Sequence, residues 1–371
     1  MTILIWDTDV GNDDLMAGVY LKSQNTNIAA VTVASSGGIN GAKRAQNIAD
    51  FYALLGHKDM PIAYGNAASV GHCVNPFPPY FLNMMDNILQ GRNIPPNTNA
   101  VIPLAPSAVE LLKTTIESAD EPVTILATGP LTNIAEFLQT YPGLKNKIEK
   151  IVIMGGAVDK PGNIKALHHE YEREDEAEWN IIIDPLAAQV VFSSEIPVTL
   201  VPLDATNQIP MTMEFYNFFQ QHESHPELKL LYELQRLIVD GFPDGIGKYK
   251  NGTELFLKEF YLWDPLAAMI CLHPEIAIGE DMFIKVELET AKTQLVAEGT
   301  QGAARINVIK QFHNPNLLLQ KFMDDVQKYF LDNKATVSAL SIYQAPTATA
   351  ISALEIALEE AALNKTATRF T

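Results

Sequence analysis

The sequence predicts an α/β protein with a Rossmann-like core: a mostly parallel central sheet with helices on both faces, a small antiparallel addition and extra C-terminal helices. Three observations carry that expectation. Short, nearly all-apolar runs recur up to residue 201, as strands buried on both faces require. Longer amphipathic stretches separate them, which is the pattern of crossover helices in a parallel sheet. A polar, glycine-rich loop follows each run: DTDVGNDD after ILIW, SSGG after AVTVA, TGPLTN after VTILA and GGAVDKPGN after IVIM. In such sheets ligands bind beyond the carboxyl ends of the strands.

Taken in order, strand ILIW (3–6) leads into helical DDLMAGVYLK, and IAAVTVA (28–34) into GAKRAQNIADFYALLG. VTILAT (123–128) leads into LTNIAEFLQTY, IVIMGG begins at 151, and VTLVPLD (198–204) follows helical PLAAQVVFSS. Residues 209–260 read as largely helical, with the glycine- and lysine-containing loop GFPDGIGKYKNGT as a lid. MFIKVELE, TQLVAEGT and ARINVIKQF alternate polar and apolar residues and form the antiparallel addition. Residues 314–333 make a helix, and TATAISALEIALEEAALNK, after Pro346, carries helix formers with an apolar stripe. The chain thus divides into one α/β domain over 1–335 and a C-terminal helical extension over 336–371.

Composition limits the partners. The 371 residues carry 26 Lys and Arg against 44 Asp and Glu, a formal charge of -18, so no clustered basic surface is available for nucleic acid. A small neutral substrate suits this charge better. No run reaches the roughly 18 apolar residues of a membrane span, and no leader pattern precedes ILIW, so the chain is read as soluble, starting at Met1 and membrane-free. Cys73 and Cys271 have no CxxC spacing and read as free thiols of a reducing cytoplasm.

Asp7, Asp9, Asp13 and Asp14 crowd eight positions directly behind a buried strand. Such carboxylates repel one another unless solvated or neutralised. Helix capping accounts for Asp13 and Asp14 at most. The absence of a neighbouring Lys or Arg in sequence asks for a cation, and an all-oxygen donor set suits Ca²⁺ or Mg²⁺ rather than zinc. An EF-hand is excluded by spacing, since counting Asp7 as loop position one puts Gly18, not Glu, at position twelve. A haloacid-dehalogenase type of phosphatase would use Asp7 and Asp9 as DxD, but Asp13 and Asp14 then arrive too soon, on the same loop.

Four ordered blocks resemble the inosine–uridine preferring nucleoside hydrolase family: DTDVGNDD; ATGPLTNIAEFL with IEKIVIMGGAV; GN at 162–163 with EWNIIIDPLAA; and WDPLAAM at 263–269. The resemblance implies a Ca²⁺ ion bound by Asp9, Asp14, the Thr128 carbonyl and Asp264, with Asp9 as the base acting on water. It implies that Asp13, Asn163, Glu178, Asn180 and Asp264 hold the ribose, and that family members work as homodimers or homotetramers. The reaction so implied is hydrolysis of the N-glycosidic bond of a ribonucleoside to base and ribose.

Two departures sharpen the expectation. Where many members carry a His before the last metal-binding Asp, this chain has Trp263, as in the purine-specific inosine–adenosine–guanosine branch, in which aromatic stacking activates the base. Trp263 is therefore assigned to catalysis and base binding, with Phe77, Tyr80 or Phe81 as the opposite ring. Neither His168 nor His169 lies in a matching block. The usual Asn or Asp after the first loop glycine is replaced by Gly38, for which Ser36 or Asn40 could substitute. Purine preference leads; a pyrimidine or nonspecific hydrolase, or a nucleoside-binding sensor without turnover, are the alternatives.

Overall fold

The computed structural model describes residues 2–71, 79–164, 177–241 and 249–332. Among these residues the strands form a nine-stranded sheet in the order β3-β2-β1-β4-β5-β6-β9-β7-β8. Strands β1 (Ile3–Thr8), β2 (Ile28–Val33), β3 (Ile62–Tyr64), β4 (Val123–Ala127), β5 (Ile148–Met154) and β6 (Val198–Val201) are mutually parallel. Helices α1 (Asn12–Ser23), α2 (Gly41–Leu54), α3 (Pro79–Asp86), α4 (Ala108–Ser118) and α5 (Thr132–Thr140) come next, followed by α6 (Trp179–Ile183) and α7 (Pro185–Phe192). The remainder are α8 (Leu203–Thr206), α9 (Met213–Gln221), α10 (Pro226–Val239), α11 (Gly252–Glu259), α12 (Trp263–Leu272) and α13 (Leu318–Asp332).

The apolar runs are continuous because successive side chains feed opposite cores. On β1, Leu4 and Trp6 enter a core shared with α1, α2, α12 and α13, whereas Ile5 enters a second core beneath α5 and α7. Val152 and Met154 of β5 likewise face the first core, Ile151 and Ile153 the second. No helix among the described residues is long and apolar enough to cross a membrane.

The antiparallel addition belongs to the main sheet. Strand β9 (Ala304–Phe312) runs parallel to β6, and β7 (Ala277–Val286) then pairs antiparallel with β9 and with β8 (Thr293–Leu295). Strand β3, only three residues long, carries too little pattern to be predicted from sequence. Helix α13 occupies the predicted 314–333 stretch, while residues 336–371, the lid residues 242–248 and His168, His169, Phe77 and Cys73 lie outside the described residues. Cys271 is buried and free, and burial pushes its thiol up to about 12.

Candidate active site

The site begins where β1 ends. After Thr8 the chain makes a turn through Asp9, Val10 and Gly11 before α1 starts at Asn12. Val10 takes φ of 63°, a left-handed conformation that a β-branched residue adopts only when its surroundings impose it. The imposing contacts are polar. The Val10 amide donates to Thr8 Oγ1 at 2.9 Å, and the Gly11 amide donates to Asp14 Oδ2 at 2.6 Å. The loop after β4 closes over this turn: a Cβ at Gly129 would lie 2.8 Å from the Asp9 nitrogen, so only glycine fits there.

Asp14 is almost completely buried and is aimed by three side chains. Its Oδ1 accepts from Thr8 Oγ1 at 2.5 Å and from Thr128 Oγ1 at 2.6 Å, and Trp6 Nε1 donates to Thr128 Oγ1 at 2.8 Å. Asp14 thus caps α1 through Gly11 and is held toward the β4 end as well, so capping describes one of these three bonds. Helix α12 packs on α1 and brings Asp264 to the same place. Asp264 sits inside the first turn of α12 and makes no cap hydrogen bond; Leu262 is the N-cap residue.

Asp13, Asp14 and Asp264 form the tightest group, with one carboxylate oxygen from each within 4.8 Å of the others. Asp9 adjoins that trio through Asp14; the ligand set implied by the resemblance has Asp9 where this trio has Asp13. Burial, followed by mutual repulsion, raises all four carboxyls. Asp13 is pushed up to about 6, and Asp9, Asp14 and Asp264 are also raised, Asp9 despite the opposing Arg44 charge. Oxygen donors only, buried and crowded, with a single guanidinium nearby, fit a hard divalent ion.

The ribose-binding candidates converge on the ends of β4 and β5. Glu178 is buried and caps α6, accepting from the amides of Asn180 (3.0 Å), Ile181 (3.2 Å) and Gly156 (2.9 Å). Burial pushes it up to about 7, and it feels the charge of Asp9. Asn180 Nδ2 donates to the Thr128 carbonyl at 3.2 Å and to the Met154 carbonyl at 3.1 Å. Both amide protons are thereby used, and the Thr128 carbonyl keeps a second lone pair. Asn163 Oδ1 accepts from the Trp179 amide at 3.2 Å. It is a turn residue, as its sequence suggests, placed against the start of α6.

Trp263 is half-buried, tilted on Phe260 (5.6 Å between centroids) and edge-on to Tyr261 (6.0 Å). Tyr80 and Phe81 occupy the first turn of α3. The two substitutes proposed for the missing residue at 38 are engaged elsewhere. Asn40 caps α2 by accepting from the Lys43 amide, and Ser36 Oγ is bonded by Thr132 Oγ1 at 2.9 Å. Gly37 and Gly38 have φ of 74° and 85°, which favours glycine at both positions.

Two further residues complete this region: Asp7, which belongs to the acid run but is given no role by the resemblance, and Arg44, which was not singled out from sequence. Asp7 is fully buried, with Oδ1 accepting from Thr32 Oγ1 at 2.5 Å and Asn133 Nδ2 at 2.8 Å, and burial pushes it up to about 7. It points at β2 and α5 rather than into the acid trio. Arg44 of α2 is buried against Asp9 and Asp86.

These shifts give a testable sign. A carboxyl raised in the folded state holds its proton better there than in the unfolded chain, so its contribution is fully present below about pH 4 and lost as pH rises through the folded value. For Asp7, Asp13 and Glu178 that loss falls between about pH 4 and 7. Chelator-treated protein is therefore expected to melt at lower temperature at pH 7.5 than at pH 5.5. Scanning calorimetry at the two pH values checks this; a chelated protein that gains stability toward pH 7.5 contradicts it.

Fold and site together define an α/β enzyme with an all-oxygen acid cluster at the carboxyl end of a parallel sheet. The profile of the inosine-uridine preferring nucleoside hydrolases matches residues 4–318. The pyrimidine-specific ribonucleoside hydrolase RihA of Citrobacter koseri is 31% identical over 297 residues, covering 78% of this chain and 86% of that protein. RihA of Escherichia coli K12 is equally similar, at 31% over 297 residues with the same coverage. Among solved structures, a purine-preferring ribonucleoside hydrolase from Gardnerella vaginalis superposes with a TM-score of 0.73 at 24% identity, over 88% of this chain and 99% of that one. An inosine-uridine preferring nucleoside hydrolase from Bacillus anthracis gives 0.67 at 22% identity, over 89% and 99%. The chain belongs to the inosine-uridine preferring nucleoside hydrolase family.

Proposed function

We propose that this protein is a calcium-dependent, purine-preferring ribonucleoside hydrolase that works in the cytoplasm as a homodimer or homotetramer. The observation that carries the catalytic reading is the buried convergence of Asp13, Asp14 and Asp264, with Asp9 beside them, at the carboxyl end of the sheet. The ion would be held by Asp9, Asp14, Asp264 and the Thr128 carbonyl. When bound, it offsets the carboxylate repulsion and polarises water and the ribose diol.

The chain's own groups account for the remaining steps. Asp9, with 18% of its side chain accessible, takes the proton of the attacking water on a carboxylate oxygen. Asp13 and Asp264 accept from ribose hydroxyls, with Asn163, Glu178 and the remaining Asn180 oxygen around the sugar. As the glycosidic bond breaks, its electron pair leaves with the base nitrogen, which takes up a proton from solvent, while positive charge grows on the ribose and the surrounding carboxylates lower its energy. Trp263 stacks on the departing base and keeps water from its face, with Phe77, Tyr80 or Phe81 on the other side.

Purine preference rests on Trp263 preceding Asp264 and on the aromatic group formed with Phe260 and Tyr261. The pyrimidine reading has its own support, since RihA at 31% identity is named pyrimidine-specific. Ribose release from inosine, guanosine, uridine and cytidine, with and without chelator, decides between them. Binding without release from any of the four would make the protein a nucleoside sensor.

Removing the ring tests the stacking role directly. Trp263→Ala is expected to reduce kcat/KM for inosine by about 10- to 100-fold, the scale of one lost base–aromatic stack. Uridine should lose less. Equal losses on both nucleosides would remove the ring from base recognition.

A further inference from the structure

We propose that Arg44 is a positioning residue for Asp9, a strap that fixes the turn after β1 and ties it to the end of α3. The inference rests on the reading of Asp9 as the base. Arg44 lies in the second turn of α2 with only 3% of its side chain exposed. A guanidinium is costly to bury unless its donors are satisfied. Here Nη1 donates to the Asp9 carbonyl at 2.5 Å and lies 3.8 Å from Asp9 Oδ1, while Nε donates to Asp86 Oδ1 at 2.8 Å.

The bonded atom matters. Arg44 grips the peptide that joins Asp9 to Val10, and Val10 is the residue held at φ of 63°. A planar fork fixes direction as well as distance, which an ammonium does not. The guanidinium therefore sets the plane of the Asp9 carbonyl and, through it, where the Asp9 side chain leaves the turn. With no side chain at Gly38, and with Asn40 and Ser36 committed to other partners, the contact that α2 makes with Asp9 comes from Arg44.

The other end of the strap is also built. Asp86 closes α3; its Oδ1 accepts from the Asn40 amide at 3.4 Å as well as from Arg44, and its carbonyl accepts from Asn47 Nδ2 at 3.0 Å. Helix α3 carries Tyr80 and Phe81, the candidates for base contact, in its first turn. Arg44 thus ties the end of α3 to the turn that carries Asp9.

Arg44→Met is expected to lower kcat by about 10- to 100-fold, the cost of misplacing a reacting group by about an ångström. KM for inosine should stay within about threefold, because Arg44 lies behind Asp9 and not against the sugar. Calcium affinity, read by calorimetry on the intact chain, should not fall, since a positive charge leaves a site that binds a cation. Arg44→Lys should recover part of kcat. Asp86→Asn, which keeps Arg44 and a neutral acceptor, should lower kcat by about three- to tenfold and decides the matter if the methionine variant does not fold.

An unchanged kcat in Arg44→Met, or in Asp86→Asn, overturns the strap. Arg44→Met and Arg44→Lys that are equally slow, with calcium affinity and melting temperature falling together, reduce Arg44 to a structural filler. A native protein that binds calcium and releases no ribose from any nucleoside fails differently. It removes Asp9 as the base, and this inference with it.

Discussion

Asp9→Asn is expected to lower kcat on inosine by about 10³- to 10⁴-fold, the upper range for a single general base. Asparagine keeps the volume and one oxygen of the carboxylate but cannot take a proton. The loss should therefore fall on kcat, with KM nearly unchanged. The fold should survive. Asp9 is partly accessible, and the amide relieves part of the repulsion that raises Asp264. Single-turnover ribose release, with circular dichroism and calcium calorimetry on the same sample, checks the three parts together. Turnover within tenfold of the native protein would remove Asp9 from proton transfer.

The second large effect concerns the sugar. Inosine is expected to exceed 2′-deoxyinosine in kcat/KM by about 10⁴-fold, as sites built around a substrate hydroxyl reject analogues that lack it. Asp13 and Asp264 are the reason. Asp13 is raised by burial and by Asp9, and Asp264 by burial and by Asp13, so their charge is tolerable only when something polar faces them. A deoxyribose leaves a largely buried acceptor without its donor, and that penalty appears in full in the transition state. Competition between the two substrates in one tube measures the ratio. A ratio below about 100 would mean that the hydroxyl is held weakly and that the carboxylates serve the ion alone.

Much of the architecture could be read from the sequence because buried parallel strands announce themselves. ILIW, VTILA and IVIM have no polar position to disguise them, and the loops after them are where the acids and glycines lie. The three-residue β3 has no such signal. The placement of β9 beside β6 was hidden for another reason. An alternating run such as ARINVIKQF says that one face is wetter than the other, but not which strand it will join.

The site was legible in its acids and less so in its geometry. Spacing brought Asp9, Asp13 and Asp14 onto one turn, but only the packing of α12 on α1 shows that Asp264 completes a trio with Asp13 and Asp14. Asn180 carries a task that sequence could not reveal, since its donors hold two main-chain carbonyls. Arg44 left a trace that was available: in GAKRAQNIADFYALLG it stands four residues before Ile48 and seven before Phe51, on the stripe that α2 buries. A lone cation at a core position needs anionic partners. The sequence does not say that they are Asp9 and Asp86.

The seating of β9 against β6 bears on how the chain is made. Strand β6 ends at Val201 and its neighbour begins at Ala304, so about a hundred further residues must leave the ribosome before that flank is covered. Until then the growing polypeptide presents an open row of amides and carbonyls next to a greasy surface, the situation that invites pairing with another nascent molecule. Synthesis halted before Ala304 would leave that border permanently bare.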